Sequence, residues 1–294
     1  MPEPEVRQES TKATRTPTAS KAGQLRIGGE LEVNRLGFGA MRLTGEGIWG
    51  EPRDRAEALR VLRRAIDLDV NFIDTADSYG PQASERLIAE ALYPYPPGLV
   101  IATKGGLLRP GPDRWVPDGR PEHLREVLNG SLKRLRLERI DLYQFHRPDP
   151  NVPLEESLGA LVEEQRAGKI RFIGISNVDL EQLARARKVA NVVSVQNRFN
   201  LDDHTSDEVL AACERDGLPF LPWAPIQAQD EALGKVARRR NATSQQIALA
   251  WLLERSPVML PIPGTSSVKH LEENIAAVDI QLTREDLEEL GRRH

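Results

Sequence analysis

From residue 25 onward the chain alternates short apolar runs with longer stretches whose apolar residues recur every three or four positions. The runs at 71–75, 99–103, 141–145, 171–175, 191–195, 218–221 and 258–262 are too short for helices and suit strands buried on both faces. Residues 36–39 add an eighth. Between the runs, Leu59, Leu62 and Ile66 form one helical stripe behind Pro52, and Leu124, Val127, Leu128 and Leu132 form another. Gly28-Gly29 between two short extended pieces predicts a hairpin, and Thr283 ahead of Glu285 and Asp286 predicts the start of a last helix. Eight alternations favour a closed (β/α)8 TIM barrel, an α/β fold in a single domain, over an open doubly wound sheet. Such a barrel needs roughly 250 residues, and the chain has 294.

Composition narrows the classes. With 39% hydrophobic and 29% charged residues the chain reads as globular. A net charge of −4, spread along the chain, gives no basic field for nucleic acid, and no apolar run has the length of a membrane span. The single cysteine, Cys213, excludes an internal disulfide and a multi-cysteine zinc site; on its helical pattern it is expected to be a buried structural thiol. Residues 1–24 are polar and predicted to be a disordered tail ahead of a barrel over 25–294. They lack the apolar core of a secretory signal, so a cytoplasmic protein is expected, and the sequon Asn241-Ala-Thr243 then carries no meaning.

In such barrels the chemistry sits where strands end. The second strand ends in Asp74-Thr-Ala-Asp-Ser-Tyr79-Gly80, the third in Thr103-Lys104-Gly-Gly106 and the fourth in Gln144-Phe-His146-Arg147. Alone, each residue has a plain structural explanation as a cap, a packing ring or a solvated charge. On three consecutive strands they put a carboxylate, a phenol, an ammonium and an imidazole on one rim. Reduction of a carbonyl needs a hydride, a proton donor and stabilisation of the developing alkoxide. Tyr79 supplies the proton in this reading, Lys104 favours its phenolate, Asp74 holds the lysine, and His146 orients the substrate oxygen. No metal is needed.

The order and spacing of Asp74, Tyr79, Lys104 and His146 resemble the catalytic tetrad of the aldo-keto reductases, and the resemblance covers nearly the whole chain after the tail. It implies a nicotinamide cofactor, NADPH before NADH. Gly39, Ala40 and Met41 after the first strand, Ser176 and Asn177 after Gly174-Ile175, and Gln196 are similar to the family's cofactor contacts. Trp223 and Pro225 stand where the family places an aromatic ring under the nicotinamide, usually Tyr or Phe. Gly264, Thr265, Ser266, Ser267, Lys269, Glu273 and Asn274 match its segment for the adenosine phosphate. Many members carry Lys and Arg at what are Gly264 and His270 here, so hydroxyls, backbone N–H groups and Lys269 are expected to replace them. The loop 224–230 lacks the family's glycines, which predicts a more open cleft and faster cofactor release.

Gly45-Glu-Gly47-Ile-Trp-Gly50 spells a dinucleotide fingerprint without the required context; it neither follows its strand directly nor opens a helix, and reads as the first loop bordering the substrate pocket. Met41, Trp49, Arg147 and Trp115, in the long loop after Lys104, are candidates for lining that pocket. The short C-terminal end argues against a bulky, tail-gripped substrate. Stretches 34–43, 49–54, 91–95 and 262–267 resemble the branch containing pyridoxal reductases (pyridoxine 4-dehydrogenases). The partner implied is a small-molecule carbonyl. Alternatives are a reductase of another sugar-like or natural-product carbonyl, or a non-catalytic nicotinamide-sensing protein.

Overall fold

The computed structural model describes residues 16–227 and 231–291. Strands β1 (Gln24–Ile27) and β2 (Leu31–Asn34) form the predicted antiparallel hairpin through Gly28-Gly29. Then come β3 (Phe38–Gly39), α1 (Arg55–Asp67), β4 (Phe72–Asp74), α2 (Ala83–Leu92) and β5 (Val100–Gly105). A second hairpin, β6 (Leu107–Gly111) and β7 (Arg114–Pro117), precedes α3 (Pro121–Leu135), β8 (Ile140–Phe145), α4 (Leu154–Arg166), β9 (Ile170–Ser176), α5 (Leu180–Val189) and β10 (Val192–Gln196). Helices α6 (Asp207–Asp216), α7 (Glu231–Arg240), α8 (Ser244–Arg255), α9 (Val268–Ala276) and α10 (Arg284–Leu290) complete the chain's order.

The parallel sheet runs β10-β9-β8-β5-β4-β3. The runs at 218–221 and 258–262 do not form full ladders, contrary to expectation, but they close the barrel through single bridges. Phe220 pairs with Val195 on one side and Met259 on the other. The amides of Gly37 and Gly39 then donate to the carbonyls of Pro261 (2.9 Å) and Pro263 (3.2 Å), joining the last segment to β3. Pro219, Pro222, Pro261 and Pro263 cannot donate, which explains why the ladders stay thin.

Side chains two apart on a strand share a face. Inside the barrel Phe72, Ala102, Leu142, Phe172, Leu221 and Leu260 pack with Ile27, Leu31 and Val33 of the N-terminal hairpin, which plugs the base. A Cβ at Gly28, whose φ is +61°, would lie 2.4 Å from the Phe172 ring, so the hairpin turn reaches that plug only as glycine. Two residues further along the same strands stand Asp74, Lys104 and Gln144, all buried. An apolar base and a polar mouth are thus written in one period-2 pattern.

The helices follow their stripes. Asp54, not Pro52, caps α1 by accepting from the Glu57 amide, and Ala58, Val61, Leu62 and Ala65 face inward. Thr283 and Asp286 form the capping box that opens α10. Cys213 is buried on α6, and burial pushes its thiol up to about 12. The expected tail is too long at its inner end: Ala19–Ala22 forms a 3-10 turn, Ala19 is fully buried, and its amide donates to Leu68 O at 2.8 Å. The rest of that tail, 1–15, lies outside the described residues, as does 228–230 of the loop expected to be open. No described helix is long and apolar enough to cross a membrane.

Candidate active site

The four strand-end residues meet at the barrel mouth. Lys104 is wholly buried, and its Nζ donates to Asp74 Oδ1 at 2.6 Å and to Thr75 O at 2.8 Å, with the Tyr79 hydroxyl at 3.4 Å. Asp74 Oδ2 accepts from Gln144 Nε2 at 3.0 Å and Gln196 Nε2 at 2.8 Å. Both carboxylate oxygens are therefore held, and the carboxylate cannot turn away from the lysine. Burying such a pair is costly unless its remaining lone pairs are satisfied; the two glutamines and Thr75 do that.

Burial alone would lower the Lys104 pKa, but Asp74, followed by Tyr79, reverses this and leaves it raised. For Tyr79 burial dominates and raises the phenol, with Lys104 pulling the other way. His146 is held well below the usual histidine range by burial, then by the charges of Lys104, Arg147 and Arg109. It is a neutral imidazole at neutral pH, with Nδ1 3.5 Å from Ser78 Oγ. The rings of Tyr79 and His146 stand edge to face, 5.9 Å apart.

These groups open into a cavity of about 540 Å³. Of the residues expected around a cofactor, Gly39, Met41, Ser176, Asn177, Gln196, Trp223, Pro225 and Gly264 line it. Gln196 spends its Nε2 on Asp74, which leaves Oε1 to accept from a ligand amide. Asn177 is more committed than expected: Nδ2 donates to His146 O and Ser176 Oγ, both at 2.9 Å, and Oδ1 accepts from Trp223 Nε1 at 3.1 Å. It acts as a bracket that fixes the Trp223 indole. A flat ring, an amide acceptor and the Ser176 hydroxyl converge in one space, as a nicotinamide with its carboxamide requires.

A second cavity of about 520 Å³ adjoins the first and is lined by Thr265 and Ser266 together with Arg42, Thr44, Glu46 and Asp113. The remaining expected contacts fall outside both cavities. Ala40 is fully buried in the core. Ser267 stands at the N-cap position of α9 without a side-chain capping bond, and its amide donates to Thr265 Oγ1. Lys269 pairs with Glu273 at 3.7 Å, and Asn274 is buried. The departure at Gly264 has a steric reason: a Cβ there would lie 2.5 Å from Gly39 O. No side chain fits, so no lysine does.

Around the substrate end, Trp115 and Arg147 line the cavity as expected, and Trp49 does not; its neighbour Ile48 does. The first loop turns at Gly47, with φ +65°, and so presents Ile48 inward. Trp115 belongs to the β6–β7 hairpin rather than to an unstructured loop. Sequence reasoning missed Arg42, Leu107, Ile226 and Ile262 in the lining and Gln144 behind it. Only Gln144 carried a signal, as a polar residue in phase with His146 on a buried strand.

The chain is similar to several known proteins. A family model described as the aldo/keto reductase family matches residues 35–292. An uncharacterized oxidoreductase of Schizosaccharomyces pombe is 48% identical over 280 residues, covering 94% of this chain and 91% of the relative. The pyridoxine 4-dehydrogenase of Escherichia coli is 43% identical over 273 residues, covering 89% and 95%. A crystal structure of an aldo-keto reductase from Klebsiella pneumoniae in complex with NADPH matches with a TM-score of 0.76 at 26% identity, over 91% of this chain and 93% of that one.

Proposed function

The chain belongs to the aldo/keto reductase family, and from that premise we propose that it reduces a small aldehyde or ketone with NADPH, Tyr79 giving the proton. The observation that carries this reading is the buried Lys104 ammonium, set between the Asp74 carboxylate and the Tyr79 hydroxyl. Trp223, Gln196 and Ser176 are the residues that would hold the nicotinamide, which when bound supplies the hydride. Arg42 lines both cavities and has no carboxylate partner among the described residues. It supplies the positive charge toward the cofactor's 2′-phosphate that position 264 cannot, beside the Thr265 and Ser266 hydroxyls.

Tyr79, its pKa raised by burial, stays protonated at neutral pH, which is the form a reduction consumes. As the carbonyl oxygen gains charge, the phenol O–H transfers its proton to it. Lys104 stabilises the phenolate left behind, and the Asp74–Gln144–Gln196 set keeps the ammonium in place. Neutral His146, with Ser78 at Nδ1, directs an N–H from its other nitrogen at the substrate oxygen. In the oxidative direction the same groups run in reverse.

The substrate class proposed is a flat aromatic aldehyde such as pyridoxal; the relative at 43% identity supports it, as do Trp115 and Arg147 in the lining, which would meet its ring and a polar substituent. The test follows NADPH absorbance with pyridoxal, a model aromatic aldehyde and a dicarbonyl, in wild type and Tyr79→Phe. Turnover fastest on pyridoxal, reduced about 1,000-fold in the variant with unchanged cofactor binding, is expected. Turnover only on the model carbonyls would discard pyridoxal; cofactor binding without any turnover would discard the reductase.

A further inference from the structure

One arginine beside the carbonyl cavity, whose charge is the smallest of those that hold His146 down, makes a set of contacts that the chemistry above does not use. Arg109 stands on β6 and does not line the cavity. Its Nη1 donates to Ser78 O at 2.8 Å, its Nη2 to Gly47 O at 2.9 Å, and its Nε to Arg114 O at 3.0 Å. Those carbonyls belong to three separate segments: the loop carrying Tyr79, the first loop carrying Ile48, and the hairpin carrying Trp115. The guanidinium face lies 3.6 Å from the centre of the Trp115 ring. Each of the three guanidinium nitrogens thus donates one bond, the plane stacks on Trp115, and the centre of the Trp49 ring lies 5.7 Å away.

The segments it joins meet each other as well. The Asp113 amide donates to Gly47 O at 3.0 Å, and a Cβ on Gly47 would lie 2.8 Å from Pro112 Cβ. Trp115 in turn stands edge-on to Tyr79, 6.2 Å between centroids, and tilted against His146 at 6.5 Å. The indole is thus the third ring of a triangle whose other two members face the reacting oxygen. Among the described residues no hydrogen bond holds the indole N–H, so the placement of the ring depends on the surface it stacks on.

We propose that Arg109 is a positioning residue for carbonyl selection, holding Trp115 against Tyr79 and His146 and tying three loops into one wall of the cavity. The inference rests on the reductase reading for its kinetic consequence but not for the tie itself. Geometry explains why the residue is an arginine. A planar guanidinium donates along its edges while its faces remain free to stack, whereas an ammonium has no face and no fixed directions. A wall built this way presents a flat surface to a flat substrate, so its loss weakens capture of planar aromatic carbonyls more than of small ones.

Arg109→Ala, Arg109→Lys and Trp115→Ala decide the matter through KM and kcat on an aromatic aldehyde and on glyoxal, NADPH affinity, and amide hydrogen exchange over 45–50 and 107–117. In Arg109→Ala, KM for the aromatic aldehyde is expected to rise about tenfold, the size of a lost charge-assisted contact set. KM for glyoxal, kcat and NADPH affinity should move less than about threefold by the same scale. Arg109→Lys should resemble Arg109→Ala, Trp115→Ala should reproduce its selectivity, and added methylguanidinium should restore KM in Arg109→Ala. Protection of the two segments should fall together. Wild-type KM in Arg109→Lys, equal losses on both substrates, or unchanged protection at 45–50 would each overturn the proposal. Wild-type protein inert on every carbonyl would sink the reductase reading instead, and the coupled exchange would then decide the tie by itself.

Discussion

The two sides of the barrel mouth hold their polar groups in opposite ways. Around β4, β5 and β8 the functional groups are buried and the ion pair is multiply bonded: Lys104 is 0% and Asp74 2% exposed, and three side chains converge on one carboxylate. Around 264–270 the polar groups are hydroxyls and backbone at the edge of an open cavity, with Arg42, Ser266 and Lys269 exposed. Under the function proposed above, the difference would match two tasks. Proton transfer tolerates little misplacement, so its groups are preorganised in a low-dielectric site. A phosphate is a diffuse charge that several donors can satisfy, so its groups need reach more than rigidity.

Four substitutions break or sharpen that contrast. The largest effect is expected for Lys104→Met, which leaves Asp74 buried without its counter-charge. Unfolding free energy should fall by about 3–5 kcal/mol and turnover by about 100-fold or more, read by urea titration and steady-state assay. Stability near wild type would mean that the pair is not the buried keystone its geometry implies. Next, Arg42→Ala should weaken NADPH about tenfold and NADH little, measured by fluorescence titration. Equal losses for both cofactors would move the arginine from the 2′-phosphate to the pyrophosphate.

The third concerns Asp77, on the loop that follows Asp74 but without a cation bonded to it. Burial, with Glu85 adding, pushes its carboxyl up to about 8, and Oδ1 has no hydrogen-bond partner. The native state keeps a proton that the unfolded chain releases near the ordinary 3.8. Stability from this group is therefore complete below that value and declines as pH rises towards 8. Asp77→Asn, which cannot ionise, should gain on wild type steadily across that window and level off above it, as thermal midpoints at a series of pH values will show. A gap independent of pH would mean that Asp77 is ionised in the fold. The smallest effect belongs to Lys269→Ala, whose partner is Glu273 and which lies outside both cavities. NADPH affinity should change less than about twofold; a tenfold loss would return the lysine to the phosphate site.

This asymmetry also governs what the sequence made readable. The apolar base, the polar strand ends and the spacing from Asp74 to Tyr79 are local patterns, each repeated within a few residues, and they placed the four chemical groups together. Trp49 and Ile48 show where local pattern runs out. Which of two neighbours faces the cavity depends on the Gly47 turn and on the hairpin packed against it, and neither has a periodic signature. Arg109 was silent for the same reason: its three carbonyl partners are spread from Gly47 to Arg114. The missing lysine was visible at Gly264, but the cause lay in the backbone of Gly39, far away along the chain.

The prolines of the last two barrel segments have a dynamic consequence. In a parallel pair, donors alternate between the two strands. Where 261–263 meets β3, Pro261 and Pro263 have no N–H to offer, so Gly37 and Gly39 give both bonds and receive none from those positions. The barrel wall is closed by a one-way seam. Its last tooth, Gly39, lines the first cavity beside Gly264, which borders both. Local opening costs least where bonds are fewest, so the amides of Gly37 and Gly39 should exchange with solvent ahead of those in β5 and β8, along the seam that borders the first cavity.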